Sequence, residues 1–380
     1  MEASSSTHPS RSGLPSSGRP LRIAINTGGG DAPGLNAVIR SVVLSALNLG
    51  WEVYGIRRGY EGLFQKDGVM RLDPKSVQGI TRLGGTILGT TNRGNPLEWP
   101  VTHPDGSVET VDRSGEIVDA FREHGLDALV AIGGDGSLRI ASALHERGLP
   151  VIGVPKTIDN DLEATQFTFG FHTAVQTATD ALDKLHSTAE AHGRVMVVEV
   201  MGRHTGWIGL YAGISGAADV ILVPEVPYDI QKVVERIEKQ YEDGKPNYSI
   251  VVVAEGASPA DGSPVYQEVA RPGANERYGG IADRLAREIQ ERAGHESRAL
   301  VLGHLQRGGQ PTAYDRLLAL EFGAAAIDLI EDGSFGCMVA LQPPHILAVP
   351  ISEAVDRVKA VPVDGDVVRT ARRLGISFGD

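Results

Sequence analysis

Residues 128–161 read ALVAIGGDGSLRIASALHERGLPVIGVPKTIDND. Two apolar runs of strand length, ALVAIG (128–133) and VIGV (151–154), flank a segment in which Asp135 or Ser137 can cap a helix. Each run is apolar throughout instead of alternating, as expected for a strand of a parallel sheet covered by helices on both faces. In such sheets ligands gather at the carboxyl ends of the strands. The loops GGDGS (133–137) and PKTIDND (155–161) therefore stand where a ligand would be met.

The same alternation runs outward along the chain. Further strands are expected at RIAIN (22–26), EVYGI (52–56), RVMVVEV (194–200), VILV (220–223), YSIVVVAE (248–255) and ALVLG (299–303). Between them lie helical faces such as Ala174, Ala178, Ala181, Leu182 and Leu185, or Ile230, Val233, Val234, Ile237 and Tyr241. The fold class is α/β, with mainly parallel sheets covered by helices, and 380 residues suit two domains. TGGGDAPG, MGRHTG and HLQRGG also follow strands, while the polar stretch 94–115 reads as a surface excursion.

Composition narrows the function classes. A net charge of −12 argues against nucleic acid or anionic lipid as a partner, so an anionic substrate needs a local basic cluster. No apolar run is long enough to span a bilayer. Cys337 is the single cysteine, which excludes an intrachain disulfide and fits a reducing, cytoplasmic setting. Residues 1–20, rich in Ser, Pro and Gly, read as a disordered tail.

The loops carry the chemistry. In TGGGDAPGLN (27–36), glycines precede Pro33, which suits a first helical position, so an anion can approach backbone N–H groups; a plain tight turn reads the same way. In GGDGS, Gly133, Gly134 and Gly136 leave room for phosphate, and Asp135 can hold Mg2+, a hard cation that favours carboxylate, water and phosphate oxygens. In TIDND, Asp159 and Asp161 point the same way if the loop is extended and diverge if it turns. One of them can take a proton from an attacking hydroxyl; an Asx-turn pair is the plain alternative. The basic cluster comprises Arg194, Arg203, Arg298, His304 and Arg307, arginine being suited to bidentate phosphate recognition. Glu255 can accept hydrogen bonds from sugar hydroxyls or pair with an arginine, and His172 falls at a helix start. His186, His192 and His204 have no metal-ligand spacing.

Ten motifs in order, GGGDAPGLNAVIR, GYEGL, GGTILGTTNRGNP, IGGDGS, PKTIDND, GFHTA, VEVMGRHTGWIG, VPE, AEGA and VLGHLQRGG, resemble the phosphofructokinase family from about residue 22 to the C-terminal helix. The resemblance implies two Rossmann-like domains and Mg2+-dependent phosphoryl transfer to the 1-hydroxyl of fructose 6-phosphate. It makes Asp159 the general base with Thr157 beside it, Asp135 the metal ligand, and Arg203 the cation against the transferring group. Met201, Gly202 and Glu255 match sugar positions, and His304 and Arg307 match the 6-phosphate grip. Arg194 and Arg298 match arginines reaching in from a neighbouring subunit, which implies a homo-oligomer, dimer or tetramer. Gly30, Tyr60, Arg93, Gly134, Asp135, Gly136 and Ser137 match donor-binding positions. The donor domain is expected over 21–170 plus 306–356, and the sugar domain over 171–305 plus 357–380.

Donor choice falls on two residues. In the family, pyrophosphate users carry an acidic residue at the position of Gly136 and a lysine at that of Lys156, whereas the familiar ATP users have glycine at both. An aspartate at 136 would repel the α-phosphate of ATP; Lys156 adds positive charge without excluding it. ATP is the expected donor and pyrophosphate the alternative. Arg40 is kept at an effector position, but Leu44 and His186 replace two other cations, so a weak response to ADP or phosphoenolpyruvate is expected. A kinase of NAD or lipid, suggested by GGDGS alone, and a non-catalytic sugar-phosphate sensor are the remaining readings.

Overall fold

The computed structural model describes residues 19–91, 95–242, 247–262, 266–268, 277–278 and 280–380. The expected tail lies outside them except for Arg19 and Pro20, and Arg93 also lies outside. No described helix is long and apolar enough to cross a membrane.

Two compact units are present. The first comprises Met1–Lys156, Leu162–Phe169 and Ala313–Arg357; the second comprises Thr157–Asp161, Gly170–Thr312 and Val358–Asp380. Apart from one-residue shifts at Gly170 and Arg357, the second unit thus takes two pieces, 157–161 and 306–312, that the sequence reading gives to the first. Hydrogen bonds explain both. Thr205 Oγ1 donates to Asp159 O at 3.3 Å and the Lys359 N–H to Asp161 O at 2.9 Å. The Met201 N–H donates to Gln306 Oε1 at 3.3 Å, and the Thr312 N–H to Thr173 Oγ1 at 3.0 Å.

The first unit is built on a seven-stranded sheet in the order His345–Pro350, Cys337–Gln342, Val151–Pro155, Ala128–Gly133, Arg22–Thr27, Glu52–Ile56, Val69–Leu72. The five central strands pair parallel and the two edge strands antiparallel. Strand periodicity divides the buried side chains between two faces. Ile23, Ile25, Val130 and Ile132 join helices Leu35–Asn48 and Ala313–Glu331 in one core, and Ala24, Leu129 and Ala131 join Ser114–Glu123 and Asp135–Glu146 in another. Each fully buried Ile, Leu or Phe in these cores contributes about 1.5–3 kcal/mol. The stretch read as a surface excursion contains a two-stranded hairpin, Trp99–Thr102 with Val108–Val111.

Pro33 is not the first helical residue. The helix starts at Leu35, because Gly34 takes φ 112° and a Cβ on it would lie 2.7 Å from Phe169 Cδ2. Only glycine satisfies both conditions at once.

The second unit holds a wholly parallel four-stranded sheet in the order Ser297–Val301, Val195–Val200, Ser249–Ala254, Val220–Leu222. Val195, Val197, Val251 and Val253 pack on one face beneath helices Ile230–Glu242 and Ile281–Ala293. Near the Val220–Leu222 edge, the Ile221 N–H donates to Ser377 O at 2.9 Å, so the segment 376–380 runs beside this strand.

Candidate functional site

In the first unit, Lys156 joins the glycine-rich loops. Its N–H donates to Gly133 O at 2.9 Å, and its Nζ, on a buried residue, donates to Gly30 O at 2.5 Å. The Gly28 N–H donates to Ile132 O at 2.9 Å and the Gly29 N–H to Thr91 O at 3.1 Å, while Thr90 Oγ1 donates to Gly29 O at 2.5 Å. Loops 27–31, 86–91 and 133–137 therefore form one backbone-rich surface with a cation built into it. Tyr60 is buried beside it in the core, and that burial pushes its hydroxyl up to about 12 against a hydrogen bond from Asn26.

Gly134 caps the Asp135–Glu146 helix in extended conformation, and the exposed Asp135 opens it. The first N–H groups of such a helix have no intrahelical acceptor and favour an anion. Gly133 is demanded by packing, since a Cβ there would lie 2.2 Å from Ser137 Cβ. Gly136 is different. A Cβ there would meet nothing within 4 Å, and its φ lies outside the left-handed region. Gly136 is the second residue of the helix, and glycine is a weaker helix former than alanine. Neither space nor backbone conformation within the fold accounts for it.

Among the described residues no group of three His, Cys, Asp or Glu side chains is placed to cage a metal. Asp135 offers a single exposed carboxylate. That set fits Mg2+, which is commonly held by one or two carboxylates together with substrate phosphates and water.

In the second unit, the Thr157–Asp161 loop turns. Asn160 takes φ 52°, so Asp159 and Asp161 do not share an extended geometry, and the Asp159 N–H donates to Thr157 Oγ1 at 3.1 Å. Gly202 takes φ 147° at the end of the Val195–Val200 strand, where a Cβ would lie 2.6 Å from Thr205 O. The wholly buried Gln306 accepts the Met201 N–H at 3.3 Å. It thereby ties the Met201–Gly202–Arg203 turn to the 3-10 turn Gly303–Arg307 that carries His304 and Arg307. Burial and the charge of Glu199 push the Glu255 carboxyl up, while Arg307, a Gly202 backbone hydrogen bond and Arg203 pull it down. Backbone bonds hold Glu255 beside the Arg203 turn, the Glu255 N–H donating to Val200 O at 2.9 Å and the Gly256 N–H to Gly202 O at 3.1 Å.

Sequence reasoning missed two of these residues. Gln306 lies inside HLQRGG, where its flanking cations drew attention away. Glu199 is buried on the strand, accepting the Ala282 N–H at 3.1 Å, and that burial raises its pKa. A lone carboxylate inside VMVVEV is the signal that could have revealed it.

The five cations do not form one cluster. Arg203, His304 and Arg307 follow the carboxyl ends of their strands, whereas Arg194 and Arg298 sit where the Val195–Val200 and Ser297–Val301 strands begin. Both of the latter bond the same carboxylate oxygen, Glu296 Oε1, Arg194 at 3.0 Å and Arg298 closer. At about 3.3 Å per residue, a strand of this length separates the two groups by roughly 20 Å.

The first unit thus carries two glycine-rich loops with a carboxylate at a helix start, and the second carries Arg203, Glu255, His304 and Arg307 after its strands. The sequence profile described as Phosphofructokinase matches residues 22–330. The chain belongs to the phosphofructokinase family. This phosphofructokinase-family chain is 51% identical over 359 residues to the ATP-dependent 6-phosphofructokinase of Chloroflexus aurantiacus, a match covering 94% of this chain and 98% of that protein. It is also 50% identical over 348 residues to the pyrophosphate–fructose 6-phosphate 1-phosphotransferase of Amycolatopsis methanolica, covering 90% and 96%. Among solved structures, the T-state phosphofructokinase of Pichia pastoris matches with a TM-score of 0.76 at 29% identity. That match covers 95% of this chain but 37% of the longer yeast polypeptide.

Proposed function

We propose that this chain is an ATP-dependent 6-phosphofructokinase, transferring the γ-phosphoryl group of ATP to the 1-hydroxyl of fructose 6-phosphate in glycolysis. The observation that carries the donor assignment is Gly136. Packing and backbone conformation leave that position open to other residues, so a glycine kept there at a cost to the helix is explained by what the loop must admit. An aspartate at this point would set a negative charge against a nucleotide phosphate.

In the first unit, the donor phosphates lie against Gly30 and the loop Gly134, Asp135, Gly136 and Ser137, with Tyr60 lining the donor side; Arg93 falls outside the described residues. Asp135 would hold Mg2+, which when bound offsets charge on the phosphate oxygens. Helix N–H groups stabilise the same oxygens without needing to reorganise.

In the second unit, Asp159 accepts the proton of the attacking hydroxyl, and Thr157 helps to place the sugar. Arg203 offsets charge developing on the transferring group. Met201, Gly202 and Glu255 hold the sugar, and His304 and Arg307 grip its 6-phosphate. The opposite-end placement of Arg194 and Arg298 supports a role in the site of a neighbouring subunit, and hence a homo-oligomer, dimer or tetramer. Intact Asp135, Asp159 and Arg203 disfavour a sensor without catalysis. The setting we infer is the cytoplasm.

Pyrophosphate is the second reading, favoured by Lys156 and by the half-identical pyrophosphate-using relative. Lys156 already donates to Gly30 O, so a structural duty accounts for it under either donor. Regulation by ADP or phosphoenolpyruvate is weak in this reading. His186 has Nδ1 at 3.1 Å from Tyr248 Oη and Nε2 at 2.8 Å from Gly216 O, which commits both ring nitrogens within the fold. Steady-state rates with ATP and pyrophosphate as separate donors test the proposal. Higher kcat/KM with ATP is expected, and faster turnover with pyrophosphate would refute the donor assignment.

A further inference from the structure

The segment after residue 357 reaches the Thr157–Asp161 loop within the second unit. Lys359 bonds both that loop and Trp207. Its N–H donates to Asp161 O at 2.9 Å, its Nζ donates to Asn160 Oδ1 at 2.9 Å, its carbonyl accepts the Trp207 Nε1–H at 2.7 Å, and its ammonium lies 5.6 Å from the Trp207 ring centroid. Two residues on, the Val361 N–H donates to Glu225 Oε1 at 2.8 Å, and Glu225 also accepts the Gly206 N–H. The segment is thus fastened to the loop through Lys359 and to Glu225 through Val361.

Asn160 is 1% exposed and takes φ 52°. Side chains rarely adopt that conformation, and asparagine is among those that tolerate it best when its amide is bonded locally. Asp159 is the residue immediately before it. A change of backbone conformation at Asn160 would shift the chain that carries Asp159.

We propose that Lys359 is a positioning residue for the catalytic loop, acting through Asn160: its hydrogen bond to the Asn160 amide oxygen holds the left-handed conformation and so aims Asp159. The inference rests on the assignment of Asp159 as the base. A misplacement of about 1 Å at a reacting group can lower turnover about a hundredfold.

The test compares Lys359→Met in two backgrounds, the natural chain and Asn160→Gly, with Asp159→Asn as control. Glycine reaches φ 52° without help and lacks the amide that Lys359 bonds. In the natural background, K359M is expected to lower kcat by about ten- to a hundredfold, with donor KM unchanged and Tm nearly so. In the N160G background, the same substitution is expected to change kcat by less than about threefold. An equal fall in both backgrounds, or a kcat for K359M close to that of the natural chain while D159N is inactive, would overturn the proposal and leave the base assignment standing. An active D159N would instead remove the base assignment. If K359M does not fold, Lys359→Gln carries the same two-background comparison, because a neutral amide preserves part of the bond: a smaller loss confined to the natural background is expected, and an equal loss in both overturns the inference.

Discussion

The ammonium of Lys156 donates to the carbonyl oxygen of Gly30 at 2.5 Å from a residue only 3% exposed, while the N–H of the same residue bonds Gly133 O at 2.9 Å. One residue thereby links two glycine loops, its backbone holding one and its side chain the other. Charged hydrogen bonds contribute about 1.5–3 kcal/mol. Lys156→Met is expected to raise donor KM about tenfold or more and to leave the KM for fructose 6-phosphate unchanged. Equal effects on both substrates, measured by varying each at saturating levels of the other, would count against this division of labour.

Gly136 offers a second measurement. Because a Cβ at that position meets nothing within 4 Å, Gly136→Asp is expected to fold with a Tm close to that of the natural chain and to lose ATP-dependent turnover by about a hundredfold or more. Any pyrophosphate-dependent rate should be retained or should rise. A variant that keeps its ATP rate would remove the argument built on this glycine.

The separation of Arg194 and Arg298 from the other cations leads to a mixing experiment. Arg194→Ala chains and Asp159→Asn chains are each expected to be nearly inactive. Dissociated and reassociated together, they should regain part of the natural activity, because a hybrid contains one site with both residues intact. If the mixture stays as inactive as its parents, the two arginines do not serve a neighbour.

His172 gives a pH signature. It lies in the first turn of the Phe171–His192 helix, and burial pushes its imidazole down from an ordinary 6.5 to about 4. The unfolded chain takes the proton near its ordinary pKa while the folded chain resists it. The corresponding stability is therefore full above about pH 6.5 and is lost as the pH falls toward about 4. Urea midpoints measured through this interval should decline less steeply for His172→Gln than for the natural chain. Identical slopes would show that another group sets the acid limit.

What could be read from residues alone was whatever is written locally. The strands around Ile23, Val130, Val197 and Val251 are apolar throughout, and the loops after them carry Asp135, Asp159 and Arg203. The hairpin Cys337–Gln342 with His345–Pro350 was missed, since its second strand is largely exposed and its turn is a pair of prolines. The five cations were read together as standing at strand starts and ends, although Arg194 and Arg298 lie where strands begin and the others follow strands. That distinction was visible in the order of the residues and needed only the strand direction. Lys359 was different in kind, because no spacing or periodicity joins a lysine to an asparagine so far along the chain.

The hydrogen bond from Lys359 to Asn160 spans 199 residues. Contacts of such separation carry a large loop-closure cost until the intervening chain is already in place. The Thr157–Asp161 loop is therefore expected to be among the last parts of the second unit to be fixed. After dilution from denaturant, the helical signal should return first and turnover later, leaving a window in which the enzyme looks folded by its backbone yet does no chemistry.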